Sequence, residues 1–98
     1  NVYNANQITL ANSFYEICVS MGVDYNKMKN TLKGRSNINF QYLECNKNFR
    51  GFGGVCLPKD TKAMDNLAKK LNLDVQFFEH ILTENQKYSK TVPNGMRL

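Results

Sequence analysis

Cys56 is the residue with the most chemical potential in this chain. It stands in the run Gly51-Phe52-Gly53-Gly54-Val55-Cys56-Leu57-Pro58-Lys59-Asp60. Three glycines in four positions give a backbone able to take positive φ and to approach a ligand with no Cβ in the way. Pro58 suits a first helical turn, where its missing N–H costs little. Leu57, Met64, Leu67, Ala68 and Leu71 then recur at three- and four-residue steps, which predicts one buried helix face. Cys56 is therefore expected where a glycine loop runs into a helix. Unpaired N–H groups and the positive end of the helix dipole favour a thiolate at such a junction. Lys59 adds a cation about one turn away. A single cysteine is more often a small buried hydrophobe. The conjunction of loop, thiol, Pro-Lys-Asp and helix onset favours a nucleophile.

The elements that must hold this loop read as helices. Leu10, Phe14, Ile17 and Met21 step by four, three and four, so Val2 to Met21 is predicted as one helix, stopped by Gly22. Asp24 caps a second helix to about Leu32, with Val23 and Met28 at hydrophobic-staple positions and Gly34 ending it. Arg35 to Phe49 has no clear period. Ile38, Phe40 and Tyr42 alternate as a strand would, but asparagines at 37, 39, 46 and 48 favour an ordered connection with one helical turn over Phe40–Leu43. A third helix is predicted from about Pro58 to Leu71, with a break at Asn72-Leu73-Asp74. Asp74 is expected to cap a fourth, whose face is Val75, Phe78, Ile81 and Leu82. The polar tail from Lys87, with Pro93-Asn94-Gly95, is expected to fray. The prediction is an all-α domain of about four helices with a long Gly-rich active-site loop, over 1–86, and a tail over 87–98.

Composition narrows the classes. At 98 residues the chain is one small domain, with a modest core that a partner surface would support. Lys and Arg total 13 against 8 Asp and Glu, but only Lys69-Lys70 are adjacent, so no polybasic stripe marks a nucleic-acid or membrane partner. A few of these cations near the motif suit a diphosphate. Cys18, Cys45 and Cys56 show no CxxC spacing, and His80 is the single histidine, so neither a disulfide scaffold nor a metal site is expected. Such cysteine usage predicts a reducing, cytoplasmic setting. There is no signal-peptide core and no apolar run near the roughly 18 residues a membrane helix needs. A first residue Asn1, not Met, reads as a piece cut from a longer protein.

The segment GFGGVCLPKD resembles the active-site motif of the UDP-glucose/GDP-mannose dehydrogenase family, NAD-dependent enzymes that oxidise the 6-hydroxyl of a nucleotide sugar twice to a uronate. Asn4, the run Phe14-Tyr15-Glu16-Ile17 and Gly22-Val23-Asp24 resemble the first helix of the family's central domain. That order continues from about Asn4 to Asn85. The resemblance implies a central helical domain whose NAD is bound mainly by a domain outside this stretch. It implies that Cys56 attacks the aldehyde, and that the resulting thiohemiacetal is oxidised to a thioester and hydrolysed. Asp60 resembles the aspartate that holds or activates the hydrolytic water, with a helix-dipole partner as its plainer reading. Lys59 matches a lysine near the cofactor, or is a surface lysine. Asn4 resembles the asparagine of a Lys-x-x-x-Asn pair that binds the developing oxyanion; its lysine would fall one residue before Asn1. Tyr42 and Leu43 align with a stretch packing near the substrate phosphates, and Gly51, Phe52 and Gly53 offer backbone N–H groups to the sugar nucleotide.

Two departures touch substrate choice. Asn37 stands where many relatives carry an arginine reaching into the neighbouring subunit's site, with Arg35 or Arg50 as candidate substitutes. The connection 44–49 is longer than in many relatives and lacks their Pro-Gly. The family's domain forms a homodimer core, so the stripe Leu10-Phe14-Ile17-Met21 is either that interface or intramolecular core. The sugar nucleotide stays open among UDP-glucose, GDP-mannose and an N-acetylated hexosamine derivative. The alternative, of another class, is a stand-alone helical interaction module without catalysis, favoured by the lack of a GxGxxG segment in this stretch. A basic nucleic-acid binder would show steep salt dependence and carries little weight.

Overall fold

The computed structural model describes residues 1–38 and 40–93. The helices α1 (Val2–Met21), α2 (Tyr25–Asn30), α3 (Cys56–Lys70) and α4 (Phe77–Gln86) make the all-α domain that the sequence predicts. A 3₁₀ helix covers Phe40–Leu43, where one helical turn was expected. Two strands of two residues, β1 (Phe52–Gly53) and β2 (Val92–Pro93), pair in parallel.

Local chemistry sets these boundaries. Gly22 takes φ +71° as α1 ends, and Val23 N–H reaches Cys18 O at 2.8 Å. That is a left-handed glycine stop closed by a six-to-one bond. Asp24 caps α2 by accepting from Asn26 N at 2.9 Å. Asn72 at φ +56° ends α3 in the same manner, with Leu73 N–H on Ala68 O at 3.0 Å. The start of α4 differs from expectation. Gln76, not Asp74, precedes its first residue, and Asp74 accepts only a 3.4 Å bond from the Gln76 amide. Val75 consequently lies outside the helix and is exposed.

The buried faces also differ. On α1 the core positions are Ala5, Ile8, Ala11, Asn12 and Cys18, while Leu10, Phe14, Ile17 and Met21 lie on nearly the opposite side and are exposed. Small side chains at Ala5 and Ala11 allow close approach of neighbouring backbone, and that close packing decides which face turns inward. On α3 the buried set is Leu57, Thr61, Asp65 and Ala68, so Met64, Leu67 and Leu71 of the predicted face are exposed. On α4 Ile81 is buried and Phe78 and Leu82 are half-buried.

Two clusters form the core. The first joins Ala5, Ile8, Tyr42, Phe52, Leu57, Ile81 and Val92; the second joins Ala11, Cys18, Tyr25 and Cys45. The segment after Lys87 does not leave the domain at once. It folds back so that Val92 is buried and its N–H donates to Gly51 O at 2.9 Å. Asn94 to Leu98 of the expected tail lie outside the described residues.

Burial pushes the Cys45 thiol from its ordinary 9.0 up to about 11, against the opposing pull of the Arg50 guanidinium. Tyr25, whose hydroxyl donates to Leu43 O at 2.6 Å, is likewise pushed upward, mainly by burial. In the pH range between 9.0 and about 11 the folded chain keeps a Cys45 proton that the unfolded chain releases. Stability is therefore complete below that range and falls as pH rises through it, by at most about 1.4 kcal/mol per pH unit for one proton. Urea titrations across this range should show the decline, and Cys45→Ser should flatten it to the part left by Tyr25, Tyr88 and the paired lysines, whose pKa values are also raised. Identical slopes in the two proteins would contradict the assignment.

Candidate active site

The loop that delivers Cys56 is held by main-chain bonds on every side. Arg50 N–H donates to Thr91 Oγ1 at 2.7 Å, and Arg50 O accepts from Asn12 Nδ2 at 2.6 Å. Gly51 N–H donates to Ser89 O at 2.9 Å. Phe52 N–H donates to Asn85 Oδ1 at 2.9 Å, and Asn85 Nδ2 returns a bond to Phe52 O at 2.8 Å. The glycines make this approach possible. A Cβ on Gly51 would stand 3.0 Å from Asn85 Oδ1 and from Ser89 O, and one on Gly53 would stand 2.9 Å from Lys90 Cβ. Gly54 supplies the positive φ, at +77°. Two of the three glycines thus admit the chain's own C-terminal segment.

Beyond the loop, α3 begins at Cys56 itself, two residues earlier than the predicted Pro58. Cys56 is exposed, while Cys18 and Cys45 are buried. Its first turn holds no acidic residue, so no carboxylate offsets the positive helix end there. Asp60 lies one turn on, half-buried. Its Oδ2 accepts from Asn1 Nδ2 at 2.7 Å, and its Oδ1 lies 3.9 Å from Lys59 Nζ. The Asn1–Asp60 bond sets the first turn of α1, which carries the half-buried Asn4, against the first turns of α3. A groove of about 540 Å³ opens there, lined by Asn1, Val2, Tyr3, Asp60, Ala63, Met64 and Phe78.

Other expected contacts sit deeper. Tyr42, Leu43 and Phe52 are 4%, 9% and 0% exposed and pack inward. Arg50 is enclosed. Its guanidinium carbon lies 4.7 Å from the Tyr15 ring centroid and 4.5 Å from that of Tyr88. Its Nε donates to Asn12 Oδ1 at 2.7 Å, and a terminal nitrogen pairs with Glu16. Despite burial, the hydrogen bond that it donates to Glu16 and the nearby negative groups hold its pKa above the ordinary arginine value. Asn37 and Arg35 are exposed, and Asn37 lines a smaller apolar groove of about 210 Å³ beside Leu10, Phe14 and Met28. Connection 44–49 is pinned by mutual backbone bonds between Asn46 and Phe49, at 3.2 and 3.0 Å.

Sequence reading alone missed Asn12, Asn85 and Asn1. Asn12 and Asn85 are 1% and 6% exposed. Their sequence neighbours give no signal of this, and each buried amide finds partners farther off. Among the described residues no group of three or more His, Cys, Asp or Glu side chains stands ready to hold a metal, and no helix is long and apolar enough to cross a membrane.

The structure is a helical domain that clamps a glycine loop and starts a helix on an exposed thiol. The chain belongs to the UDP-glucose/GDP-mannose dehydrogenase family: its residues 1–87 match the model of that family's central domain. It is 31% identical over 87 residues to the UDP-glucose 6-dehydrogenase TuaD of Bacillus subtilis (strain 168), covering 89% of this chain and 18% of that protein. It is 29% identical over 85 residues to the GDP-mannose 6-dehydrogenase of Pseudomonas syringae pv. tomato, covering 87% of this chain and 19% of that protein. With the UDP-glucose 6-dehydrogenase of Rickettsia bellii it shares 25% identity over 87 residues, 89% of this chain and 19% of the relative. The chain thus spans less than a fifth of the length of these curated relatives. No solved structure gives a significant match.

Proposed function

We propose that the chain is the central domain of an NAD-dependent nucleotide-sugar 6-dehydrogenase, and that Cys56 is its nucleophile. The observation that carries this reading is the placement of an exposed thiol as the first residue of α3, with Asp60 one turn beyond. Lys59 fits the edge of a dinucleotide site, its side chain being two-thirds exposed in the first turn of α3. NAD, when bound, supplies the acceptor for two hydrides per uronate formed. The chain's residues do the rest. Cys56 sulfur adds to the aldehyde carbon, and the Asn4 amide donates to the oxygen on which charge collects. After loss of hydride the sulfur holds a thioester. Water held by Asp60 adds to that carbonyl, the carbon–sulfur bond breaks, and carboxylate and Cys56 thiol are released. Arg50 is occupied between two rings, so Arg35 is the better candidate for the role of the arginine missing at Asn37.

The substrate class follows from the relatives, which are named for UDP-glucose and for GDP-mannose, and we favour the UDP-glucose type. A screen of nucleotide sugars for NADH release by the full-length protein tests this. UDP-glucose is expected to give two NADH per uronate, and no release with any nucleotide sugar would overturn the reading. A cytoplasmic location accords with such a substrate and with three cysteines at irregular spacing.

The exposed stripe of α1 supports a homodimer. Leu10, Phe14, Ile17 and Met21 are each at least 45% exposed, an apolar run that needs a partner surface. Placing a charge there with Ile17→Glu should weaken self-association by a factor on the order of 100 while leaving the fold intact. Light scattering across concentrations checks this; an unchanged dimer would reject the interface. The same stripe is what a non-catalytic interaction module would use, and the NADH screen separates the two readings.

A further inference from the structure

We propose that Asn85 is a positioning residue for the Cys56 loop, acting as a one-residue strand. The inference rests on the dehydrogenase reading only for its catalytic consequence. The geometry is local. Both main-chain polar groups of Phe52 bond to the one Asn85 amide, at 2.9 and 2.8 Å, and Asn85 is only 6% exposed. An amide side chain offers a donor and an acceptor on one plane, so it bonds Phe52 as a neighbouring strand residue would, on the edge opposite the one that Val92 bonds through Gly51. A hydroxyl also donates and accepts, but from a single atom, whereas the amide does so from two.

Asn85 is itself fixed at the last turn of α4. Lys90 Nζ donates to Asn85 O at 2.6 Å and to Tyr88 O at 2.7 Å, tying the helix exit down. Gly51 passes close enough that any Cβ would meet Asn85 Oδ1. Phe52 in turn is fully buried, four residues before Cys56. The Asn85 amide plane therefore fixes the Phe52 end of the loop, alongside the bonds that hold Arg50 and Gly51. A shift there is transmitted through Gly53 and Gly54 to the thiol, because the first of these is wedged against Lys90.

The test uses Asn85→Asp, which keeps the volume and removes the donor, and Asn85→Ala, in the full-length protein. Loss of a buried amide's bonds should raise hydrogen exchange of the peptide spanning residues 50–56 by about tenfold to a hundredfold. Exchange in α1 should stay at its original rate. In the uronate assay kcat should fall by a similar factor, about tenfold to a hundredfold, with KM for NAD within about twofold. Equal acceleration of exchange in α1 and the loop, unchanged loop exchange, or unchanged kcat in an active protein would each overturn the positioning role. If the unaltered protein reduces no NAD, the dehydrogenase reading falls and the exchange pattern alone decides the inference.

Discussion

Replacing Cys56 by serine is expected to stop uronate formation while leaving the domain folded. The side chain is exposed at the first position of α3, so one oxygen in place of sulfur disturbs no core contact. The chemistry differs sharply. A serine hydroxyl is a poor nucleophile at neutral pH, whereas a thiol is a few per cent thiolate and intrinsically far more nucleophilic. The rate of acid formation should fall by a factor on the order of 10⁴ or more, as for removal of other covalent nucleophiles. On the proposed mechanism the first hydride loss, from alcohol to aldehyde, does not involve sulfur. A single turnover should therefore still yield one NADH per site. Product analysis by NMR and NADH stoichiometry check this; steady uronate production by the variant would refute the nucleophile.

Phe52→Ala is the second large effect, and it is one of stability. Phe52 is 0% exposed and packs with Ala5, Ile8, Tyr42, Leu57, Ile81 and Val92. Truncation of such a ring costs about 3–5 kcal/mol, against a typical whole-domain stability of about 5–15 kcal/mol. Urea denaturation should show most of the stability gone, and Phe52→Leu should lose much less, about 1.5 kcal/mol or under. A ring that served chiefly to contact substrate would predict the reverse: unchanged stability and a raised KM.

These two neighbours show how far the chain could be read without its structure. The place of Cys56 at a loop-to-helix junction was legible because its signals are local: a glycine run, a proline in a first turn, an aspartate one turn on. The caps at Gly22, Asp24 and Asn72 were legible for the same reason, since a positive φ or a capping carboxylate is a property of a few adjacent residues. Burial was less so. Periodicity found that α1 has an apolar stripe at Leu10, Phe14, Ile17 and Met21, yet that stripe faces outward and Ala5, Ile8 and Ala11 face in. Hydrophobicity does not tell a core face from a partner face, because both are withdrawn from water in the assembled protein.

Long-range polar pairing was the least legible. Nothing adjacent in sequence announces that Asn12 holds Arg50 O, that Asn85 holds Phe52, or that Tyr15 and Tyr88 enclose Arg50. Their partners are separated by dozens of residues, so neither the burial of these amides nor their partners is marked by neighbouring residues. The fold-back of Thr91 and Val92 onto the loop escaped notice similarly, since a polar tail with a proline carries the composition of a frayed end.

Mass spectrometry of the acid-quenched protein interrogates the nucleophile most directly. With nucleotide sugar and NAD present, Asp60→Asn should slow water attack and let the acyl group accumulate on sulfur. The peptide carrying Cys56 is predicted to gain the mass of the uronyl nucleotide, with Cys18 and Cys45 unmodified. Uronate accumulating with no adduct on Cys56 in either protein, or an adduct on one of the buried thiols, would contradict it.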